Sequence, residues 1–294
     1  LLDGGVEGFL WHQADWLGFL LHGQWGISDW HNTLKLGFDP ETLTYGDWLP
    51  QRAELHFPAT VLPPGMAIAP LRPEIARRFG FAPQCWVGAG TTDSTAAFLA
   101  ATGSPTLGTA VTSLGSTMVL KILGDRRIDH SSYGLYSHRL DLEGRTYWLT
   151  GGGSNTGGIV LQQLFDDRLT TLTAQIDPTV PCPEPYCQYY PLPSPGERFP
   201  ISDPHMLPRL TPRPEQEALF LYGILASLAR IEFQGYTLLQ HLGAPPPERL
   251  YTVGGGSRNP IWTHLRAQRL PPLHQPIHPE AAYGTALLAR RLHK

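Results

Sequence analysis

The segment Cys85-Trp86-Val87-Gly88-Ala89-Gly90-Thr91-Thr92-Asp93-Ser94-Thr95-Ala96-Ala97-Phe98-Leu99-Ala100 constrains the chain more than any other stretch. An apolar run ends in small residues, an acid follows between hydroxyls, and an Ala-rich helical stretch begins at once. Asp93 is therefore expected where a strand hands over to a helix. Such junctions are common ligand sites in α/β proteins, because strand ends open into a crevice and helix N-termini offer unpaired N–H groups. The plainer alternative is that Asp93 or Ser94 only caps a helix ending near Gly103.

Charge and lysine usage narrow the ligand. The formal charge of −3 exerts no pull toward nucleic acid or an anionic membrane, which leaves small neutral or phosphorylated ligands. Lysine occurs only at Lys35, Lys121 and Lys294, so a Gly-Lys-Ser/Thr phosphate loop is excluded and any nucleotide must be held by other means. Cys85, Cys182 and Cys187 are too few for a disulfide framework and suit a reducing compartment; Cys182 and Cys187 lack the second pair that a metal site requires. The apolar stretch from Leu10 to Leu21 is broken by His12, Gln13 and Asp15, so no membrane span is expected and a cytoplasmic location is the default.

In chain order, apolar spacing predicts an amphipathic helix over Phe9 to Leu21, stopped by Gly23. Ile27 to Asp39 reads as a polar loop entering a short helix or strand, with His31 and Asn32 either touching a substrate or merely solvated. Prolines and Gly65 suggest turns over Leu43 to Pro50 and Ala53 to Pro70. A helix over Arg72 to Phe79, closed by Gly80, precedes the strand before Asp93. After Gly103, Thr109 to Ser113 and Met118 to Leu123 read as a hairpin turning at Leu114 to Thr117, with further strands at Tyr133 to Arg139 and Arg145 to Leu149.

The glycine run Gly151 to Gly158 is expected to be a tight turn into a helix over Ile159 to Phe165, and Pro178 to Pro214 a long surface loop. A long helix from Glu215 to about His241 is followed by a buried strand, Arg249 to Val253. Asn259 and Pro260 then suit the cap and first position of another helix, with Gly254 to Gly256 leaving room for a flat or anionic ligand. The final helix, Glu280 to Ala289, carries small residues for close packing.

Taken together, Ala89 to Ser94, Thr112 to Thr117, Gly196-Glu197-Arg198-Phe199-Pro200, Gly254 to Pro260 and Glu280 to Gly284 resemble, in order, the FGGY family of carbohydrate kinases. Thr112 to Thr117 and Gln13-Ala14-Asp15-Trp16-Leu17 look most like its short ribulose/xylulose-kinase-like branch in photosynthetic organisms. The resemblance implies an α/β fold of the actin-like ATPase (ribonuclease H-like) type, a two-domain sugar kinase with its first domain incomplete. Residues 1–101 and 281–294 would be a remnant of the sugar-binding domain, and residues 102–280 the nucleotide-binding domain.

It implies further that Asp93 is the general base for an ATP-dependent phosphorylation of a pentulose such as D-ribulose or D-xylulose, with Ser94 helping to hold the sugar. Gly115, Ser116 and Thr117 would contact the β- and γ-phosphates, and Gly254, Gly255 and Asn259 the adenosine. Mg2+ would arrive on the nucleotide rather than in a metal site of the protein. No Asp-x-Gly-Thr element precedes Gly90, so the family's opening part is expected to be missing. The same resemblance predicts an exposed apolar face where that part would pair, and it allows a plastid location. The alternative is a truncated, non-catalytic remnant that binds nucleotide or a partner. An oxidoreductase is excluded by the lack of Gly-x-Gly-x-x-Gly after a strand, and a serine hydrolase by the lack of Gly-x-Ser-x-Gly.

Overall fold

The computed structural model describes residues 8–47, 49 and 55–290; Trp48, Pro50 and Ala53, which belonged to the expected turns, lie outside that range, as do residues 291–294. The elements in order are β1 (Gly8–Phe9), α1 (Gln13–His22), β2 (Ile27–Asp29), α2 (Trp30–Thr33), β3 (Phe38–Asp39), β4 (Thr44–Tyr45), β5 (Leu55–His56), β6 (Thr60–Leu62), β7 (Ala67–Pro70), α3 (Pro73–Phe79), β8 (Trp86–Gly88) and α4 (Asp93–Thr102). Next come β9 (Thr109–Leu114), β10 (Met118–Gly124), β11 (Tyr136–Leu142), β12 (Arg145–Ser154), α5 (Gly158–Phe165), α6 (Leu169–Thr173), α7 (Glu217–His241), β13 (Arg249–Val253), α8 (Pro260–Ala267), β14 (Leu273–His274) and α9 (Ala281–Ala289). Two compact units result: Leu1–Gly103 with His138–Thr146 and His278–Lys294, and Ser104–Ser137 with Tyr147–Ile277.

Among the described residues, the first unit holds four two-stranded pieces, β1–β5, β2–β6, β3–β4 and β7–β8. Short strands thus replace several of the turns expected between Leu43 and Pro70. Its firmest packing is α4 against α9. A Cβ on Gly284 of α9 would stand 1.9 Å from the Ala96 carbonyl oxygen of α4, so only glycine allows the two backbones to approach this closely.

Helix α1 departs from expectation. It starts at Gln13, not Phe9, and it is turned inside out: Asp15 and His22 are buried, whereas Trp16, Leu17, Leu20 and Leu21 are exposed. The cause is Asp15, whose carboxylate accepts the His12 backbone N–H (3.0 Å) in a capping box and the Ser28 hydroxyl (2.7 Å) from β2. Those bonds fix the polar side inward and leave the apolar side as an exposed face. Gly23 closes the helix as expected, in the left-handed region at φ 77°.

The second unit is built on the strands β12-β10-β9-β13-β14, hydrogen-bonded in that order. β10 runs antiparallel to β9 and β12, and β13 parallel to β9. Ser113 pairs with Val253, Leu114 with Met118, and Met118 with Ser154, so the carboxyl ends of β9, β12 and β13 finish along one edge of the sheet. Helix α7 lies on this sheet so closely that a Cβ on Gly235 would stand 2.7 Å from Leu120 Cδ2. A fully buried network ties the layers together. Arg266 of α8 donates to both carboxylate oxygens of Glu232 on α7 (2.6 and 2.8 Å) and to Thr252 (3.0 Å), while Thr112 of β9 donates to Glu232 (2.6 Å).

Three expectations are corrected here. Gly151 to Gly153 continue β12 rather than turn, and the helix begins at Gly158; Gly152 is glycine because a Cβ would strike Leu135 Cδ2 at 2.6 Å and Phe199 Cδ2 at 2.9 Å. The strand placed at Tyr133 begins only at Tyr136, since Ser131–Tyr133 form a 3-10 turn closed by Gly134. The proline-rich stretch 178–214 is not merely a surface loop, because Tyr189, Tyr190 and Phe199 are core residues and Glu197 is buried. Glu197 accepts hydrogen bonds from Ser154 (2.5 Å), Tyr190 (2.9 Å) and the Asn155 backbone (2.9 Å), which anchor the loop to the end of β12.

Candidate functional site

The residues singled out in the sequence fall in two places, one in each unit. In the first, β8 ends at Gly88 and α4 begins at Asp93, the expected junction. Its cap is neither Asp93 nor Ser94. Thr92 fills that position, its hydroxyl accepting from the Thr95 N–H at 3.4 Å. Asp93 is therefore the first residue of the helix, exposed, its Oδ1 accepting the Ser94 N–H at 2.6 Å. Its other carboxylate oxygen is open to a ligand, and Ser94 beside it is also exposed.

The junction rests on polar groups that are buried, which overturns the picture of a solvated loop at His31 and Asn32. Asp29 caps α2, accepting the backbone N–H groups of His31 (2.9 Å) and Asn32 (3.0 Å) and the Asn32 side-chain amide (2.6 Å). The fully buried His31 ring donates from Nε2 to the Arg139 carbonyl (2.6 Å), and its Nδ1 shares a hydrogen bond with Thr91 Oγ1 (2.7 Å). His31, held in place by Asp29, thus ties down the Thr91 side chain two residues before Asp93. The spacing Ser28-Asp29-x-x-Asn32 is the only sequence sign of it.

Alongside, α1, β2 and the β7–β8 pair enclose a cavity of about 260 Å³, mostly apolar, with Asp15, Ser28 and Asp29 on its wall and Gly88 to Gly90 at its margin. Burial, reinforced by the nearby Asp29 charge, pushes the Asp15 carboxyl above its ordinary range, against the pull of its Ser28 and His12 hydrogen bonds.

In the second unit, three glycine turns meet at the carboxyl ends of β9, β12 and β13. The Gly158 N–H donates to the Gly115 carbonyl (2.8 Å) and the Ile159 N–H to the Ser116 carbonyl (3.1 Å), so the β9–β10 turn is pinned to the start of α5. A Cβ on Gly157 would stand 2.7 Å from Ser116 O, and one on Gly254 2.7 Å from Leu114 O; these glycines serve packing. Gly115 and Gly255 are different. A Cβ there would meet only Thr117 O at 3.6 Å and Arg258 Nη2 at 3.7 Å, respectively, and neither residue has a positive φ. Neither the fold nor the backbone conformation requires glycine at these two positions, so each leaves a methyl-sized opening beside the chain.

The exposed Ser116 and Thr117 offer backbone N–H groups and hydroxyls with no hydrogen-bond acceptor among the described residues. Such consecutive free donors form a cradle for an anion. Asn259 caps α8 as its sequence suggests, its Oδ1 accepting the Trp262 N–H at 3.0 Å, and its Nδ2 donates to Thr173 at 3.3 Å. The side chain expected to lie near a base or ribose is thus also used to hold the turn. No cluster of three His, Cys, Asp or Glu suited to a metal ion occurs among the described residues, and no described helix is long and apolar enough to cross a membrane.

Residues 110–292 match the C-terminal domain model of the FGGY family of carbohydrate kinases. This chain belongs to that family. The fold is shared with solved kinases: a xylulose kinase from Brucella ovis (TM-score 0.79, 23% identity, 95% of this chain and 58% of that one) and a ligand-bound xylulose kinase from Lactobacillus acidophilus (TM-score 0.76, 17%, 95% and 58%). A Plasmodium falciparum glycerol kinase with ADP is similar at TM-score 0.74, 15% identity, 95% of this chain and 57% of that one. The α/β, actin-like ATPase fold of the FGGY kinases is therefore the fold of this chain, which spans a little under three fifths of the length of those proteins.

Proposed function

We propose that this protein is an ATP-dependent carbohydrate kinase acting on a pentulose such as D-ribulose or D-xylulose. The observation that carries the reading is the pair of openings at Gly115 and Gly255, beside free N–H donors, on a turn and a strand end held together through Leu114. A polyphosphate suits such a place because it carries negative charge without needing a side-chain partner. The first unit supplies the acid: a carboxylate at a helix start, released from capping by Thr92. The pentulose is favoured by the xylulose kinases among the similar structures.

In the proposed reaction Asp93 accepts the proton of a sugar hydroxyl as that oxygen attacks the γ-phosphorus of ATP and ADP departs. Positioning and charge neutralisation do most of the work, and the base acts late. Ser94 orients the sugar; Gly115, Ser116 and Thr117 hold the β- and γ-phosphates; Gly254, Gly255 and the turn capped by Asn259 receive the nucleoside. Mg2+ comes bound to the nucleotide, neutralising the phosphates.

A coupled ADP-release assay across D-ribulose, D-xylulose and glycerol tests this. Release should depend on a pentulose, and Asp93→Asn should lower it by about two to four orders of magnitude. A variant that keeps most of its rate removes Asp93 from the chemistry. ADP binding with no sugar-dependent release makes the protein a nucleotide binder.

A further inference from the structure

The two turns assigned to the nucleotide, residues 112–117 and 254–260, contain one charged side chain between them, Arg258. It is exposed and makes no hydrogen bond or ion pair among the described residues. It does not simply extend into solvent. The residues Gly255–Arg258 form a 3-10 turn, closed by the Ser257 hydroxyl and N–H donating to the Gly254 carbonyl (2.7 and 3.2 Å) and by the Asn259 N–H donating to the Gly256 carbonyl (3.1 Å). That turn folds the guanidinium back, so that Nη2 is the group nearest the open side of Gly255, at 3.7 Å from where a Cβ would stand.

A guanidinium with no partner among the described residues, beside a glycine opening, suits an anion that offers two oxygens side by side, as the phosphates of a nucleotide do. The chain has no lysine in either turn to serve instead. We propose that Arg258 is a positioning residue for the nucleotide, pairing with the phosphate oxygens of a nucleoside diphosphate seated at Gly255. This rests on the nucleotide reading given above and adds to it the source of positive charge that the glycine turns lack.

Calorimetric titration of the whole protein with ADP in EDTA, and separately with adenosine, tests the assignment. Arg258→Ala is expected to weaken ADP about 10- to 50-fold, to leave adenosine unchanged, and to flatten the dependence of log Kd on log salt; Arg258→Lys should recover part of the loss. Melting temperature serves as the fold control and should not move, since the side chain is exposed. Unchanged ADP affinity in Arg258→Ala overturns the proposal, as does a parallel loss of ADP and adenosine. Wild-type protein that binds neither ligand overturns the nucleotide reading itself, a result distinct from a wild type that binds ADP regardless of Arg258.

Discussion

Replacing Gly255 or its neighbour Gly256 by alanine separates a glycine kept for ligand from a glycine kept for fold. At Gly256 the added methyl would stand 2.5 Å from Trp262 Cζ3 and 2.8 Å from Leu114 Cβ. Each contact must lengthen by about 1 Å to reach ordinary van der Waals distance, and both partners are core residues with nowhere to go. Overpacking of that kind costs roughly 1–3 kcal/mol, or a fall of about 3–10 °C in melting temperature for a unit of this size. At Gly255 the nearest atom is 3.7 Å away and belongs to a flexible arginine. There the methyl fits, and because φ is not positive, alanine should be neutral or stabilising by up to about 1 kcal/mol. Its methyl does fill the opening assigned to the nucleotide, so ADP affinity should drop about 10-fold or more. Differential scanning calorimetry and ADP titration of the two variants give opposite signatures: Gly256→Ala loses stability, whereas Gly255→Ala keeps stability and loses ligand. A Gly256→Ala protein melting with wild type, or a Gly255→Ala protein binding ADP normally, would refute the reasoning.

Other perturbations have equally definite outcomes. Gly284→Ala pushes a methyl to 1.9 Å from Ala96 O and 2.9 Å from Ala100 N, so α9 must lift off α4; a loss of about 3 kcal/mol or more is expected by urea denaturation, and an unchanged midpoint would show that the helices are not so closely packed. Glu232→Gln leaves the fully buried Arg266 guanidinium without its counter-charge and should cost on the order of 3–5 kcal/mol, read from the denaturation midpoint. Asp15 supplies a pH test. Its folded carboxyl binds a proton more tightly than the unfolded one because burial disfavours the charge. Stability from this group is therefore complete below the ordinary carboxylate value and is lost as pH rises through the raised folded value. Asp15→Asn should lack that part of the decline as pH rises above about 4 when urea midpoints are compared; an identical decline would assign it to other groups.

Much of this fold is written locally. Gly23 and Gly80 stop helices in the left-handed region that their lack of a Cβ permits, Asn259 and Pro260 start α8, and runs rich in β-branched and apolar residues give the β9–β10 hairpin. Each depends on a few neighbouring residues, so the sequence alone sets it. It also places an acid at the head of α4 and glycines at the strand ends. Which glycine does what is not local. Gly152 and Gly256 are required by side chains from distant segments, whereas Gly115 and Gly255 leave room for a methyl group, and only the assembled second unit distinguishes them.

Likewise, nothing in the period of Trp16, Leu17, Leu20 and Leu21 says that α1 turns its apolar side outward; the Ser28–Asp15 bond, made across 13 residues, decides it. His31 reads as a solvated loop residue until Thr91 and the carbonyl of Arg139 are brought to its ring. Sequence determined the elements and the chemical types at their ends, because caps, turns and alternation act over a few residues. Tertiary structure decided which of those groups are consumed in holding the fold and which stay free for a ligand, because burial and partnership depend on residues far apart in the chain.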